Sequence, residues 1–431
     1  MKAVISDHIY ISVDDELKES LMAELTYKLT KTVRGGKKVP YKEKKYVVVR
    51  DNILAIPVGR YDLIPEGHEI VDKRASPEAD FPDFKFELRD DQKVVVEDIE
   101  GSAIINAQPS WGKTFCGIAT AQRLGMKTLV IVHTLLLFDQ WVSEIEKTLG
   151  IKPGVITAGK YDIDSPIVVS NIQSLKKHVS KITKEFGVVI VDEAHHTPAS
   201  TFTGILLKLH SKVKIALSAT LNRKDGLGVF LPGFFSTNIY VPKEANHIKP
   251  TILTYNTGIT FNDDNGVPWA LRINELYNDE AFQNLVMCLA LTFVQKGHPT
   301  LVVANRVALL GHFHEILGEG SILITGATKN RDELLDTVRS GENNLIFGTS
   351  SIFQEGINIP RLSCLIAAQP INNASMIQQL TGRIARECEG KLPPVAIDLV
   401  LHGRTARKQY NSRLATYAAL GYSVTKLEKI E

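Results

Sequence analysis

From about residue 85 onward two patterns alternate along the chain. Apolar, β-branched runs at residues 103–107, 128–132, 167–169, 188–191 and 213–217 are separated by stretches whose apolar positions recur at helical spacing. Runs with no polar residue between the apolar ones read as strands buried on both faces. Their alternation with helices predicts a parallel sheet with helices on both sides. After a loop-rich stretch a second series follows at residues 300–304, 322–325, 344–347, 362–367 and 395–398. It opens on a helix with Phe282, Leu285, Val286, Leu289 and Phe293 on one face, closed by Gly297. The expected architecture is α/β: two tandem parallel-sheet domains of similar size.

The first 70 residues follow a different pattern and predict a small α/β unit. Residues 4–12 read as one strand. Asp14 or Asp15 caps a helix whose apolar face is Leu17, Leu21, Leu25 and Leu29. Residues 46–49 and 53–57 read as strands around a turn at Asp51 and Asn52. The segment between helix and strands reads as a loop, with Gly35, Gly36 and seven basic residues (Lys31, Arg34, Lys37, Lys38, Lys42, Lys44, Lys45) opposed by Glu43 alone. Residues 71–84, rich in Pro, Asp and Glu, read as a linker. The domains are therefore expected at 1–80, 81–250 and 251–431. In residues 255–269, Asn265-Gly266 signals a hairpin turn and Trp269 is a candidate to stack on a base.

Composition narrows the choices. Fifty Lys and Arg face 48 Asp and Glu, and 44% of the 431 residues are hydrophobic. That excludes a disordered chain and a uniformly basic polyanion binder, so any nucleic-acid surface must come from local clustering. Cys116, Cys288, Cys364 and Cys388 form no Cys-x-x-Cys pair, so buried reduced thiols in a cytoplasmic protein are expected, without a metal cluster. The longest apolar stretch, residues 128–138, is broken by His133 and too short for a bilayer, and Asp7 and His8 interrupt any signal-peptide core.

The candidate chemistry is phosphate chemistry. Ala107-Gln-Pro-Ser-Trp-Gly-Lys-Thr114 lies between an apolar run and a helical pattern. Gly112, Lys113 and Thr114 match the end of a Walker A loop: backbone N–H groups cradle phosphate, Lys113 supplies a point charge and Thr114 a hydroxyl for Mg²⁺. Its first position is Ala107 rather than glycine. Downstream, residues 188–191 run into Asp192-Glu-Ala-His195, two carboxylates at the carboxyl edge of a strand, where open α/β sheets bind ligands. Asp192 suits Mg²⁺ and Glu193 an attacking water.

With these motifs in place the chain resembles superfamily 2 helicases over about residues 81–400. Leu88-Arg89-Asp90-Asp91-Gln92 resembles the adenine-reading motif, in which Arg89 and Gln92 would contact the nucleotide. Val132-His133-Thr134 through Gln140-Trp141, and Ser170-Asn171-Ile172-Gln173, resemble strand-contacting motifs, implying Thr134, Ser170 and Gln173 as DNA contacts. Ser218-Ala219-Thr220 resembles the motif that couples hydrolysis to strand movement, together with His195. Gly348-Thr349 through Glu355-Gly356 resembles the second domain's coupling motif, implying Thr349 on the strand and Glu355 and Gly356 near nucleotide. Gln379-Leu-Thr-Gly-Arg383-Ile-Ala-Arg386 resembles the arginine-finger motif. Ser110 and Trp111 fill loop positions that are often small in the family, with Ser110 beside the phosphates.

Within the superfamily the chain is most similar to phage branch-migration helicases of the UvsW type, with XPB-like features: Arg223-Lys224-Asp225 after Ser-Ala-Thr, the small N-terminal unit, and a C-terminal helix bearing Arg404, Arg407, Lys408 and Arg413. The resemblance implies two RecA-like domains, with ATP and Mg²⁺ between them. The first would supply Gln92, Lys113, Thr114, Asp192 and Glu193; the second would supply Gln379, Arg383 and Arg386. It further implies a monomeric motor of bacterial or phage-infected cytoplasm acting on branched DNA (forks, displacement loops, four-way junctions), with Lys37 and Lys38 meeting the junction. An RNA helicase, the motor of a restriction system, and an ATP-regulated DNA-binding scaffold are the alternatives.

Overall fold

The computed structural model describes residues 1–32, 38–109, 111–197, 200–221, 226–242, 248–354, 357 and 359–428. Lys37, Ser110, Glu355 and Gly356, and the Arg223-Lys224-Asp225 motif, lie outside the described residues. The chain divides into two units, residues 1–243 and 244–431.

The first unit holds an eight-stranded sheet in the order Tyr161–Asp162, Gly154–Ile156, Ile167–Asn171, Thr128–Val132, Val188–Val191, Val213–Ser218, Ala103–Asn106, Ile239–Tyr240. All neighbours are parallel except the first pair. The continuous apolar runs have a simple cause. Val130, Val132, Val169, Ile190 and Leu217 enter the core under helices Lys113–Leu124 and Leu135–Leu149, while Leu129, Ile131, Val168, Val189 and Ala216 enter the core of the opposite face. Both faces are dry, so no position along the strand can be polar without a buried partner.

The second unit carries a seven-stranded, all-parallel sheet in the order Ile322–Ile324, Leu345–Thr349, Thr300–Ala304, Cys364–Ala367, Val395–His402, Thr251–Thr260, Val424–Lys426. Helix Glu280–Gln295 packs Phe282, Val286, Leu289 and Phe293 into its core. The fold is thus α/β, with two RecA-like parallel sheets and a small N-terminal sheet. That last sheet runs Val47–Arg50, Ile53–Pro57, His8–Ser12, Lys2–Ile5, Glu69–Asp72.

Several expectations are corrected. Residues 4–12 are not one strand: a turn at Ser6 and Asp7 splits them into the antiparallel pair Lys2–Ile5 and His8–Ser12. Asp7 Oδ1 accepts from Ser6 Oγ and Tyr10 Oη, both at 3.0 Å, which fixes the turn. Helix Asp15–Glu24, capped by Asp14, stops before Leu29. Leu29 instead lies in Thr26–Thr32, which pairs antiparallel with Lys38–Lys44, so the basic segment is a two-stranded hairpin rather than a loop. The segment after residue 72 is pinned to the first unit by Ala75 N to His210 O (2.7 Å) and Lys127 N to Pro77 O (2.9 Å). Asn265 and Gly266 turn between strand Thr251–Thr260 and helix Trp269–Tyr277, not between two strands. Trp269 packs on Phe261 (centroids 5.2 Å apart) and beneath Arg272. Cys288 and Cys388 are exposed; only Cys116 and Cys364 are buried. Among the described residues no helix is long and apolar enough to cross a membrane.

Candidate active site

The phosphate loop joins strand Ala103–Asn106 to helix Lys113–Leu124. Gly112 caps that helix at φ 94°, a conformation side chains resist, and a Cβ there would lie 2.5 Å from Gln92 Nε2. Ala107 N donates to Ser218 O at 3.0 Å, which seats the loop beside the Ser-Ala-Thr strand. Lys113 Nζ donates to Ala107 O (2.8 Å) and Gln108 O (3.2 Å), so its ammonium is held over the loop.

Trp111 is the least expected part. Its indole N–H donates to Asp91 Oδ2 at 2.6 Å, and its carbonyl accepts from Gln92 Nε2 (2.7 Å) and Arg89 Nη2 (2.8 Å). The bulky loop residue is the peg by which the Arg89–Gln92 segment holds the loop. Gln92 is 3% exposed, and its Oε1 accepts from Arg89 N at 3.1 Å. One end of its amide therefore holds the loop and the other caps the start of its own helix, Asp90–Asp98. Asp91 was missed in the sequence, although it lies inside the quoted motif.

The carboxylates follow strand Val188–Val191. Asp192 is buried; Oδ1 accepts from Glu193 N and Oδ2 from Trp141 Nε1, both at 2.9 Å. Burial, then the neighbouring Glu193 charge, pushes the Asp192 carboxyl above its ordinary range. For Glu193 burial acts the same way but is outweighed by hydrogen bonding to His195 and the charge of Lys113, so its carboxyl is held below the usual range. Two adjacent acids with opposed shifts suit different tasks. Glu193 has φ 48°, the one positive value at a non-glycine among the described residues. Strain of this kind persists where surrounding structure enforces it, often at functional sites.

His195 Nδ1 lies 3.2 Å from both Glu193 Oε2 and Ser218 Oγ, and Ser218 Oγ donates to Thr220 O at 2.6 Å. The two motifs are thereby joined in one chain of polar contacts. The remaining expected contacts divide. Thr134 caps helix Leu135–Leu149, accepting from Leu137 N at 3.2 Å, and Gln173 is exposed on the next helix. Ser170 is a correction: it is fully buried, with Oγ donating to Ile156 O at 2.9 Å, and is out of reach of a nucleic acid.

In the second unit Thr349 ends its strand half-buried, and Gln379 is buried in helix Ala374–Ile384. Arg383 donates Nε to Phe353 O (2.8 Å) and Nη1 to Ile357 O (3.0 Å). Arg386 follows the helix, its carbonyl accepting from Lys391 Nζ at 2.6 Å. The Lys38 side chain is not among the described ones. No cluster of three or more His, Cys, Asp or Glu placed for a metal occurs among the described residues.

A parallel sheet with this loop, a lysine over it and an Asp-Glu pair on the next strand but one defines a P-loop ATPase. The comparisons carry the class further. Residues 85–223 match the family described as type III restriction enzyme, res subunit, and residues 280–388 match the helicase conserved C-terminal domain. The chain is 40% identical to the probable helicase D10 of Escherichia phage T5, over 98% of this chain and 95% of that one. It is 25% identical to the DNA 3'-5' translocase XPB2 of Sulfurisphaera tokodaii, over 70% and 79%. The structure of S. cerevisiae Dbp5 bound to RNA and ADP BeF3 matches 78% of this chain and 89% of that one, with TM-score 0.56 and 14% identity. The chain belongs to the superfamily 2 helicases, and is an ATP-hydrolysing helicase.

Proposed function

We propose that this helicase acts on DNA, and on branched duplexes in particular, by unwinding or branch migration. The observation that supports the reading most is the basic hairpin. Tyr27 packs edge-on against Phe230 at 5.1 Å, Leu29 is buried in the first unit's core, and Lys45 lies 4.1 Å above the Phe230 ring while pairing with Glu43. Phe230 belongs to the segment after Ser-Ala-Thr, so the hairpin is mounted on the part of the unit that follows the coupling motif. On its outer face Lys28 and Lys42 stand directly opposite each other, with Lys44 two pairs further along opposite Thr26, and all three lysines are exposed. Like charges at opposed positions cost stability, and phosphates of a nucleic acid would reverse that cost. Lys28 was not picked out in the sequence, where it fell within the helix expected to run to Leu29.

DNA rather than RNA is favoured by similarity to a relative named as a DNA translocase. In hydrolysis Lys113 holds the β- and γ-phosphates, Glu193 orients the attacking water, and Arg386 from the second unit supplies the trigger charge. Thr114 and Asp192 fit Mg²⁺: a hydroxyl and a buried carboxylate are hard oxygen donors. The ion, when bound, neutralises charge on the phosphate oxygens. Thr134, Gln173 and Thr349 contact the strand backbone, a sequence-independent grip.

The test is ATP turnover with single-stranded DNA, forked DNA and RNA supplied in turn. Forked DNA is expected to stimulate most; stimulation by RNA alone would refute the reading. Neutralising Lys28, Lys42 and Lys44 together is expected to weaken fork binding and to reduce the log–log salt slope by about 2 to 3. An unchanged slope would return the hairpin to a purely structural part. Ser218→Ala breaks the contact chain from Glu193 to Thr220. Strand displacement is expected to fall further than hydrolysis, measured as base pairs opened per phosphate released. Equal losses would remove Ser218 from coupling.

A further inference from the structure

We infer that Trp141 is a positioning residue for the metal carboxylate, and that it ties the helix headed by Thr134 to the nucleotide site. The inference rests on the proposed role of Asp192 as an Mg²⁺ ligand.

Trp141 is fully buried on helix Leu135–Leu149, two turns after its Thr134 cap. A buried indole needs an acceptor for its N–H. Here the acceptor is Asp192 Oδ2, 51 residues away, at 2.9 Å. The other oxygen takes the Glu193 N–H at 2.9 Å. One donor on each oxygen fixes the plane of the carboxylate and leaves lone pairs on both.

The ring itself has no freedom to drift. A Cβ on Gly117, in the helix that begins at Lys113, would stand 3.0 Å from Trp141 Cη2. The glycine lets the indole press against the phosphate-loop helix, while the ring nitrogen holds the acid from the neighbouring strand. One side chain therefore spans both halves of the ATP site. It does so from the helix whose first turn is assigned to the DNA strand. A displacement of that helix on strand binding is transmitted to the carboxylate through a single rigid group. Partners that orient a ligating group commonly govern metal affinity by 10- to 100-fold.

The experiment is equilibrium binding of a fluorescent ATP analogue to the full chain, with and without EDTA, while Mg²⁺ is titrated. Trp141→Phe is expected to raise the half-saturating Mg²⁺ by about 10- to 100-fold, with affinity in EDTA unchanged. Asp192→Asn is the reference, and the double variant is expected to match it, since a residue acting through Asp192 adds nothing once that acid is gone. If Trp141→Phe folds poorly, β-(3-benzothienyl)alanine at position 141 keeps the bicyclic shape and removes only the N–H; the same shift is expected. Asp192→Asn raising the Mg²⁺ requirement while neither change at 141 does would overturn the inference. Additive losses in the double variant would overturn it too. No effect of Asp192→Asn would instead strike at the metal assignment itself.

Discussion

Lys113→Ala is expected to abolish ATP turnover, by at least about 10²-fold, the scale on which a single pre-placed electrostatic group contributes to a transition state. The loss has two sources. The ammonium is already anchored over the loop by Ala107 O and Gln108 O, so its charge needs no reorganisation to meet the phosphates. It also favours ionisation of both Asp192 and Glu193, so without it the two buried acids compete more severely for one charge. Lys113→Arg is expected to fail almost as badly, because a planar guanidinium does not fit a site built for a compact ammonium. Phosphate release near the parental rate in Lys113→Ala would remove the loop from catalysis.

The parts of this site that were legible in the sequence share a physical origin. Gly112 must adopt φ 94°, and the four apolar residues of Val188–Val191 must be dry on both faces, so residue type and position are tightly bound. Asp192 and Glu193 follow from where that strand has to end. Side-chain partners were not legible, because they depend on which segments the fold brings together. Gln92 and Asp91 look alike as polar helix-start residues. Only the approach of Trp111 makes them clamps on the phosphate loop. The assignment of Ser170 fails for the same reason: a serine ending an apolar strand can face the ligand edge or a neighbouring carbonyl, and here Ile156 O takes it.

The basic hairpin was misread for a different reason. Leu17, Leu21, Leu25 and Leu29 recur every four residues, which satisfies a helix, but Tyr27 and Leu29 also alternate with Lys28 and Thr30 at the period of a strand. The partner strand and the contact with Phe230 decide between the two. Thr26, Thr30 and Thr32, branched at Cβ, already lean that way. The conformation of Glu193 at φ 48° has no sequence signature at all.

The last expectation separates two arginines that the sequence treats alike. Arg386→Ala is expected to cut strand-stimulated turnover by about 10³- to 10⁵-fold, the range for an arginine that meets transition-state charge, with ATP binding largely kept. Arg383 is engaged otherwise. Its Nε and Nη1 donate to Phe353 O and Ile357 O, so its first task is to tie those two backbone carbonyls to helix Ala374–Ile384. Arg383→Ala leaves two carbonyls without their charged donor, and its expected signature is a lower melting temperature together with weaker stimulation by DNA. Melting curves and single-turnover hydrolysis on both variants distinguish the roles. If Arg383→Ala melts like the parent chain and loses turnover while Arg386→Ala does neither, the trigger is Arg383, and the contacts to Phe353 and Ile357 must be exchanged for phosphate during the cycle.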